Sequence, residues 1–179
     1  GNHAEAIESL SRLLQNDPKN PRLYQEIATS WVALGKKDKA LEVLTRTSAE
    51  FAVRPFIRRY PERAVARMLA WTRHPSEHVR RLASEGCRPR LPWGTALAEL
   101  KRDPSPILPV LEHLKDDPSS YVRRSVANNL GDIAKDHPAL AVDLARRWMK
   151  ESAARRPLVK YALRDLLKKG HPGALKLFG

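Results

Sequence analysis

Apolar residues recur along this chain every three or four positions, in short blocks separated by proline, glycine and asparagine, which is the period of an amphipathic helix. The blocks predict helices over 3–16, 21–34 and 37–47, then over 49–57, 61–73, 76–86, 93–101, 105–115, 119–135, 138–149, 155–168 and 172–178. No stretch reads as a strand. Pro61, Pro75, Pro104, Pro118, Pro138 and Pro172 fall at first turns, where a missing amide hydrogen leaves no helical bond unmade. One connector departs from this pattern: in RPRLPWG, Arg88 to Gly94, two prolines and a closing glycine predict extended chain, with Trp93 at a loop-to-helix junction and outside the core.

Two blocks are copies of one another. HPSEHVRRLASEG at 74–86 recurs as DPSSYVRRSVANN at 117–129, so that Val79, Arg80 and Arg81 match Val122, Arg123 and Arg124 at an offset of 43. A fainter copy, PLVKYALRDLL at 157–167, aligns Val159 and Lys160 with Val122 and Arg123 after a further 37. Units of this size with internal helical periodicity are the signature of HEAT-like repeats, each of which buries its apolar face on its neighbour. The start of the chain has its own period. Gly1, Ala4, Ala6, Ile7 and Leu10 reappear 34 positions later as Gly35, Asp38, Ala40, Leu41 and Leu44, the period of a tetratricopeptide repeat. About one and a half such units form little groove, so they read as a stabilising cap, and a peptide partner is not expected. The expected fold is an all-α, right-handed helical-repeat solenoid with tetratricopeptide-like helices over 1–48 and HEAT-like repeats over 49–179.

Charge follows the same division. Residues 1–50 carry seven Lys/Arg and seven Asp/Glu, whereas residues 51–179 carry 26 and 13, so the net excess of 13 lies wholly in the second part. A basic pair presented once per repeat suits an evenly spaced polyanion, and the expected partner is duplex DNA, with Arg80, Arg81, Arg123, Arg124, Lys160 and Arg164 on its phosphates. The single cysteine, Cys87, excludes an internal disulfide framework and fits a reducing compartment. With no long apolar run, no membrane association is expected, and the cytoplasm is the expected location.

The blocks FAVRPFIRRYPERAVARMLAW, HPSEHVRRLASEGCRPRLPWG, LKDDPSSYVRRSVANNLGDIAKDHP and YALRDLLKKGHPGALKLFG together resemble the AlkC family of bacterial DNA alkylation-repair glycosylases, relatives of the AlkD family, over about residues 46–179. The resemblance implies a HEAT-like stack that cradles duplex DNA and hydrolyses the N-glycosidic bond of cationic alkylated purines, chiefly 3-methyladenine, without a cofactor or a metal. It places acidic site residues at Glu50, Glu85 and Asp132 and an aromatic wall at Trp93. The tetratricopeptide segment stands where the family's usual N-terminal helices are expected, and the immunoglobulin-like domain that follows the repeats in some members is not seen. This predicts an engineered chimera joined near Leu44 to Ala49, and it keeps open a second function: a scaffold without catalysis.

The chemistry is consistent with these residue types. A purine alkylated at N3 or N7 is already a cationic leaving group, so the protein need only stabilise the oxocarbenium-like sugar and position a water, for which carboxylates suffice. Arg81 and Glu85 lie one helical turn apart, and Arg124, Asn128 and Asp132 form an i, i+4, i+8 stripe, so that an arginine shares a face with an acid. Each residue also has a plainer reading as an exposed ion pair. Asn129, Lys135 and Asp136 read as solvated or capping residues. His74, Glu77 and His78 match the HxxEH string of some zinc proteases, but Pro75 puts His74 at the start of the helix and no further acidic ligand follows. Cys87, at a helix end without a histidine partner, reads as structural.

Overall fold

The computed structural model describes residues 2–18, 20–43 and 50–178. Among these residues the regular structure is helical throughout, and the chain divides into two compact units, Gly1–Arg67 and Met68–Gly179.

In the first unit, α1 (His3–Asn16) packs on α2 (Pro21–Ala33), and α2 packs on α3 (Lys37–Val43). The starts are set by capping: Asn2 accepts the amide of Glu5, and Asn20 accepts that of Arg22 with Pro21 in the first turn. Gly35 follows α2 at φ 73°, the left-handed conformation that lets a helix stop without straining a side chain. Tyr24, Ile27 and Ala28 form the buried stripe of α2. The helix expected over 49–57 is shifted, because α4 spans Arg54–Arg59 with Pro55 in its first turn. Its Phe56 and Ile57 are buried together with Val53, whereas Phe51 is exposed. The expected junction at Leu44 to Ala49 lies outside the described residues. Helix α5 (Pro61–Trp71) begins in this unit.

The second unit is built around one long helix. Helix α9 (Ser120–Asp136) packs against α6 (Glu77–Gly86), α8 (Leu108–Leu114), α10 (Pro138–Glu151) and α11 (Arg156–Ala162). Its Val122, Val126, Leu130 and Ile133 recur every third or fourth residue and are all buried, as are the repeat-equivalent Val79 and Val159. Each such side chain contributes on the order of 1.5–3 kcal/mol by leaving water. Gly131 permits the close approach of α9 to the end of α11, since a Cβ there would stand 3.0 Å from the Ala162 carbonyl oxygen. Trp71 and Trp148 are buried as packing residues.

Two expected helices differ in the structure. Turns and extended chain continue past Trp93, so that α7 begins only at Ala98 (Ala98–Arg102). The segment expected over 155–168 divides at Leu163 into α11 and α12 (Arg164–Lys168), before α13 (Pro172–Leu175).

Candidate acidic cluster and nucleic-acid interface

The contact between α6 and α9 is apolar except for a band of buried polar side chains: Ser84, Glu85, Ser125, Asn129 and Asp132, joined by Arg88 from the connector that follows α6. Arg88 links the two acids. Its Nη1 donates to Glu85 Oε1 at 2.7 Å and its Nε donates to Asp132 Oδ2 at 2.8 Å. Ser125 donates to the other oxygen of Glu85 at 2.7 Å. Two further cations stand farther off: Arg81 is 3.7 Å from Glu85, and Lys135 is 3.6 Å from Asp132. Burial on its own would lower the affinity of Arg88 for its proton, but the bonds and charges of Asp132 and Glu85 outweigh it and hold the guanidinium above its ordinary pKa. In this low-dielectric setting the two carboxylates thus meet Arg88 at hydrogen-bond distance and Arg81 and Lys135 farther out.

The connector that carries Trp93 is fastened to the same helix. Arg90 pairs with Asp136 through two bonds, of 2.8 and 2.6 Å, where Arg88 makes one to Asp132. Alternate connector residues thus meet acids one turn apart on α9, about 6 Å along its axis. Buried Leu91 and Leu97 fix the two sides, and the amide of Leu97 bonds back to the Pro89 carbonyl. Between them Trp93 is 99% exposed at φ 57°. A bulky residue held in left-handed backbone is a genuine outlier, and such strain gathers at functional sites.

The repeated arginines separate into two kinds. Arg80, the first of its pair, turns back on the loops: it makes bonds of 2.6 and 3.1 Å to Asp117 and donates to the carbonyls of His74 and Pro75. Its counterpart Arg123 donates to the carbonyls of Asp117 and Pro118, at 2.5 and 2.9 Å. The second members lie against tyrosine. Arg81 sits 4.8 Å from the ring centroid of Tyr121 and Arg124 sits 3.9 Å from that of Tyr161. Arg164 is 4.2 Å from the same Tyr161 ring, and Lys160 is exposed. Arg124, Arg164 and Lys160 have no carboxylate partner among the described residues.

Several expectations change against this geometry. The arginine that meets Asp132 is Arg88, not Arg124, because the stripe of Arg124, Asn128 and Asp132 runs from exposed to buried along α9. Asn129 is buried and donates to the Ser84 carbonyl at 2.8 Å, and Asp136 is paired; neither is a solvated residue. His74 accepts the amide of Ser76, Glu77 accepts from the Ser119 hydroxyl, and His78 meets Tyr121 edge-on, so the three side chains of the HxxEH string serve separate contacts. Cys87 is buried and bonds to the Ala83 carbonyl. Glu50 lies in the first unit, half-buried in a turn. Arg88, Arg90, Asp117, Tyr121 and Tyr161 carry little signal in the sequence: apart from the i, i+3 spacing of Glu85 and Arg88, the arginines meet acids more than thirty residues away.

Residues 1–55 match the model of the tetratricopeptide repeat, and residues 107–137 match that of the HEAT repeat. The chain is 56% identical over 142 residues, 79% of its length, to the uncharacterized protein YhaZ of Bacillus subtilis (strain 168), of which the match covers 40%. In three dimensions it is similar, at a TM-score of 0.81 and 40% identity, to the Pseudomonas fluorescens alkylpurine DNA glycosylase AlkC bound to DNA containing an abasic site analog. That match covers 96% of this chain and 50% of the other. The chain is therefore similar to AlkC-like HEAT-repeat proteins. It spans about half or less of the length of the two relatives. The likeness runs through nearly all of the chain, the tetratricopeptide-like helices as well as the HEAT-like repeats. Among the described residues, no helix is long and apolar enough to cross a membrane.

Proposed function

We propose that this chain supplies the DNA-binding repeats and an acidic site of an alkylpurine DNA glycosylase, acting on duplex DNA by hydrolysis of the N-glycosidic bond of cationic alkylated bases such as 3-methyladenine. The observation that carries the reading is the convergence of Glu85 and Asp132, from two successive repeats, on the single guanidinium of Arg88. The likeness to a DNA-bound alkylpurine glycosylase supports it.

In this reading the departing base needs no proton, because it leaves as a neutral purine from a cationic one. The barrier lies in the positive charge that gathers on the sugar. Glu85 and Asp132, fixed by Arg88, stabilise that charge electrostatically and orient the attacking water, while Trp93 offers an aromatic face to the cationic base. Among the arginines, Arg81, Arg124 and Arg164, with Lys160, touch phosphates; Arg80 and Arg123 shape the loops behind them.

The test is release of 3-methyladenine from methylated duplex DNA. Glu85→Gln and Asp132→Asn are each expected to remove most of the release, on the order of a hundredfold or more, with DNA affinity nearly unchanged, because the charge they stabilise develops only in the transition state. Release by Asp132→Asn at the parent rate would remove Asp132 from the site. The deep burial of the Glu85, Arg88 and Asp132 cluster favours a second reading, a structural clamp inside a binding scaffold. It predicts salt-sensitive DNA binding with no release by the parent.

A further inference from the structure

Tyrosine recurs where the stacked arginines need a surface. Tyr161 carries two guanidiniums, with Arg124 3.9 Å and Arg164 4.2 Å from its centroid, and one repeat earlier Tyr121 carries Arg81 at 4.8 Å, with His78 edge-on at 5.9 Å. In each case the second arginine of one repeat lies on the tyrosine of the next. Stacking occupies the flat face of a guanidinium and leaves its N–H edge available; an ion pair consumes those donors and cancels the charge. Arg164 gives one donor to the Tyr161 carbonyl at 2.8 Å and keeps the rest. The two guanidinium carbons on Tyr161 are at most about 8 Å apart, the two centroid distances taken end to end. Beside them opens a cleft of about 180 Å³ lined by Ser120, Arg123, Arg124, Tyr161 and Leu158 among others.

We infer that Tyr161 is a positioning residue for the DNA backbone: it fixes Arg124 and Arg164 as a pair, charged and with donors exposed, for phosphates of one strand. This rests on the DNA-binding reading above. A free arginine loses much of its rotamer freedom when it grips a phosphate, and an arginine already stacked has lost it beforehand. The ring therefore raises affinity without touching DNA, and its effect passes wholly through the arginines.

The experiment is fluorescence anisotropy of a labelled duplex across a salt series, with thermal melting of each variant. Tyr161→Phe keeps the ring and is expected to bind as the parent does. Tyr161→Leu is expected to bind about fivefold more weakly, with a salt slope lower by about one per arginine released from its place. In an Arg124→Ala/Arg164→Ala background, Tyr161→Leu should add nothing. An equal loss in that background, or Tyr161→Leu binding with the parent's affinity and slope, overturns the inference. Should Tyr161→Leu fail to fold, Arg124→Lys takes its place: it keeps the charge without the planar stack, and parent affinity there overturns the inference as well. A parent with no salt-dependent affinity overturns the DNA-binding reading and this inference together; a parent that binds while the variants do not differ overturns this one alone.

Discussion

Asp117→Asn isolates the knot that ties one repeat loop to the next. The Asp117 carboxylate is buried, accepts two bonds from Arg80 at 2.6 and 3.1 Å, and accepts the Ser119 amide at 2.9 Å. Breaking a buried ion pair from one side costs roughly 3–5 kcal/mol, because the surviving charge is stranded. Here the penalty is smaller. Arg80 keeps its bonds to the His74 and Pro75 carbonyls, and its side chain is 14% exposed, while the new amide oxygen still serves Ser119. About 2 kcal/mol remains, which for a unit of this size lowers Tm by about 6–8 °C at neutral pH. The pH dependence gives an independent check. Burial on its own would raise the Asp117 pKa, but the Arg80 bonds, the Ser119 amide and the charges of Arg80 and Arg123 hold it below the ordinary carboxylate range. Between that lowered value and the unfolded value near 3.9, the unfolded chain binds more protons, so this stabilisation is fully present above about pH 5 and is lost as pH falls through the folded pKa. Melts followed by circular dichroism at pH 7, 5, 4 and 3 should show a parent-to-variant gap that is constant down to pH 5 and then narrows. A gap of the same size at pH 3 and pH 7, or none at either, would refute the argument.

The two kinds of arginine should part company in binding: Arg80→Ala lowers Tm and leaves the salt slope of DNA affinity unchanged, whereas Arg124→Ala lowers the slope by about one, equally on damaged and undamaged duplex. Gly131→Ala adds helix propensity of about 1 kcal/mol but forces a methyl against the Ala162 carbonyl, and overpacking against backbone costs about 1–3 kcal/mol, so a net loss in Tm is expected; a gain would show that α9 and α11 separate freely. Trp93→Gly removes a side chain that buries nothing and relieves about 1–2 kcal/mol of left-handed strain, partly offset by the freer unfolded chain, so Tm should hold or rise slightly while discrimination for cationic lesions falls. A drop of several degrees would instead make Trp93 a packing residue.

Much of the fold was legible because its signals are local. Proline at first turns or, as Pro75 and Pro118 prove to be, just before the N-cap, an apolar residue every third or fourth position and the duplicated Val-Arg-Arg blocks locate α1, α2, α5, α6 and α8 to α10 to within a few residues. The start of α7 was not, because its delay depends on how Arg88 and Arg90 reach acids on α9 more than forty positions away. The exposure of Trp93 was legible from its proline and glycine flanks; its left-handed backbone was not. Within the acidic cluster, Glu85 and Asp132 could be chosen from the sequence, but the guanidinium that unites them sits in the segment that looked like a mere linker.

The repeat itself explains where special chemistry arose. Adjacent helical residues point about 100° apart, so the paired arginines of each copy face different surroundings from the start: the first faces the loop, the second the tyrosine of the next repeat. Both copies show this division, with Arg80 and Arg123 on loop carbonyls and Arg81 and Arg124 on rings, although the two tyrosines stand at different positions of their repeats. The copies diverge one turn later. Glu85 occupies the position of Asn128, and the acid of the second copy stands a further turn along, at Asp132. That displacement is what lets one guanidinium reach both: acids at strictly equivalent positions would each be served within their own repeat, whereas Arg88 leaves the end of α6 and meets α9 one turn farther on. Moving the second acid back, as in Asn128→Asp with Asp132→Asn, keeps the composition but takes away the charged bond between Arg88 and Asp132. The doubly changed protein should therefore lose stability like the Asp132→Asn variant, and recovery of parent stability would show that the charge count, not the one-turn offset, is what the cluster requires.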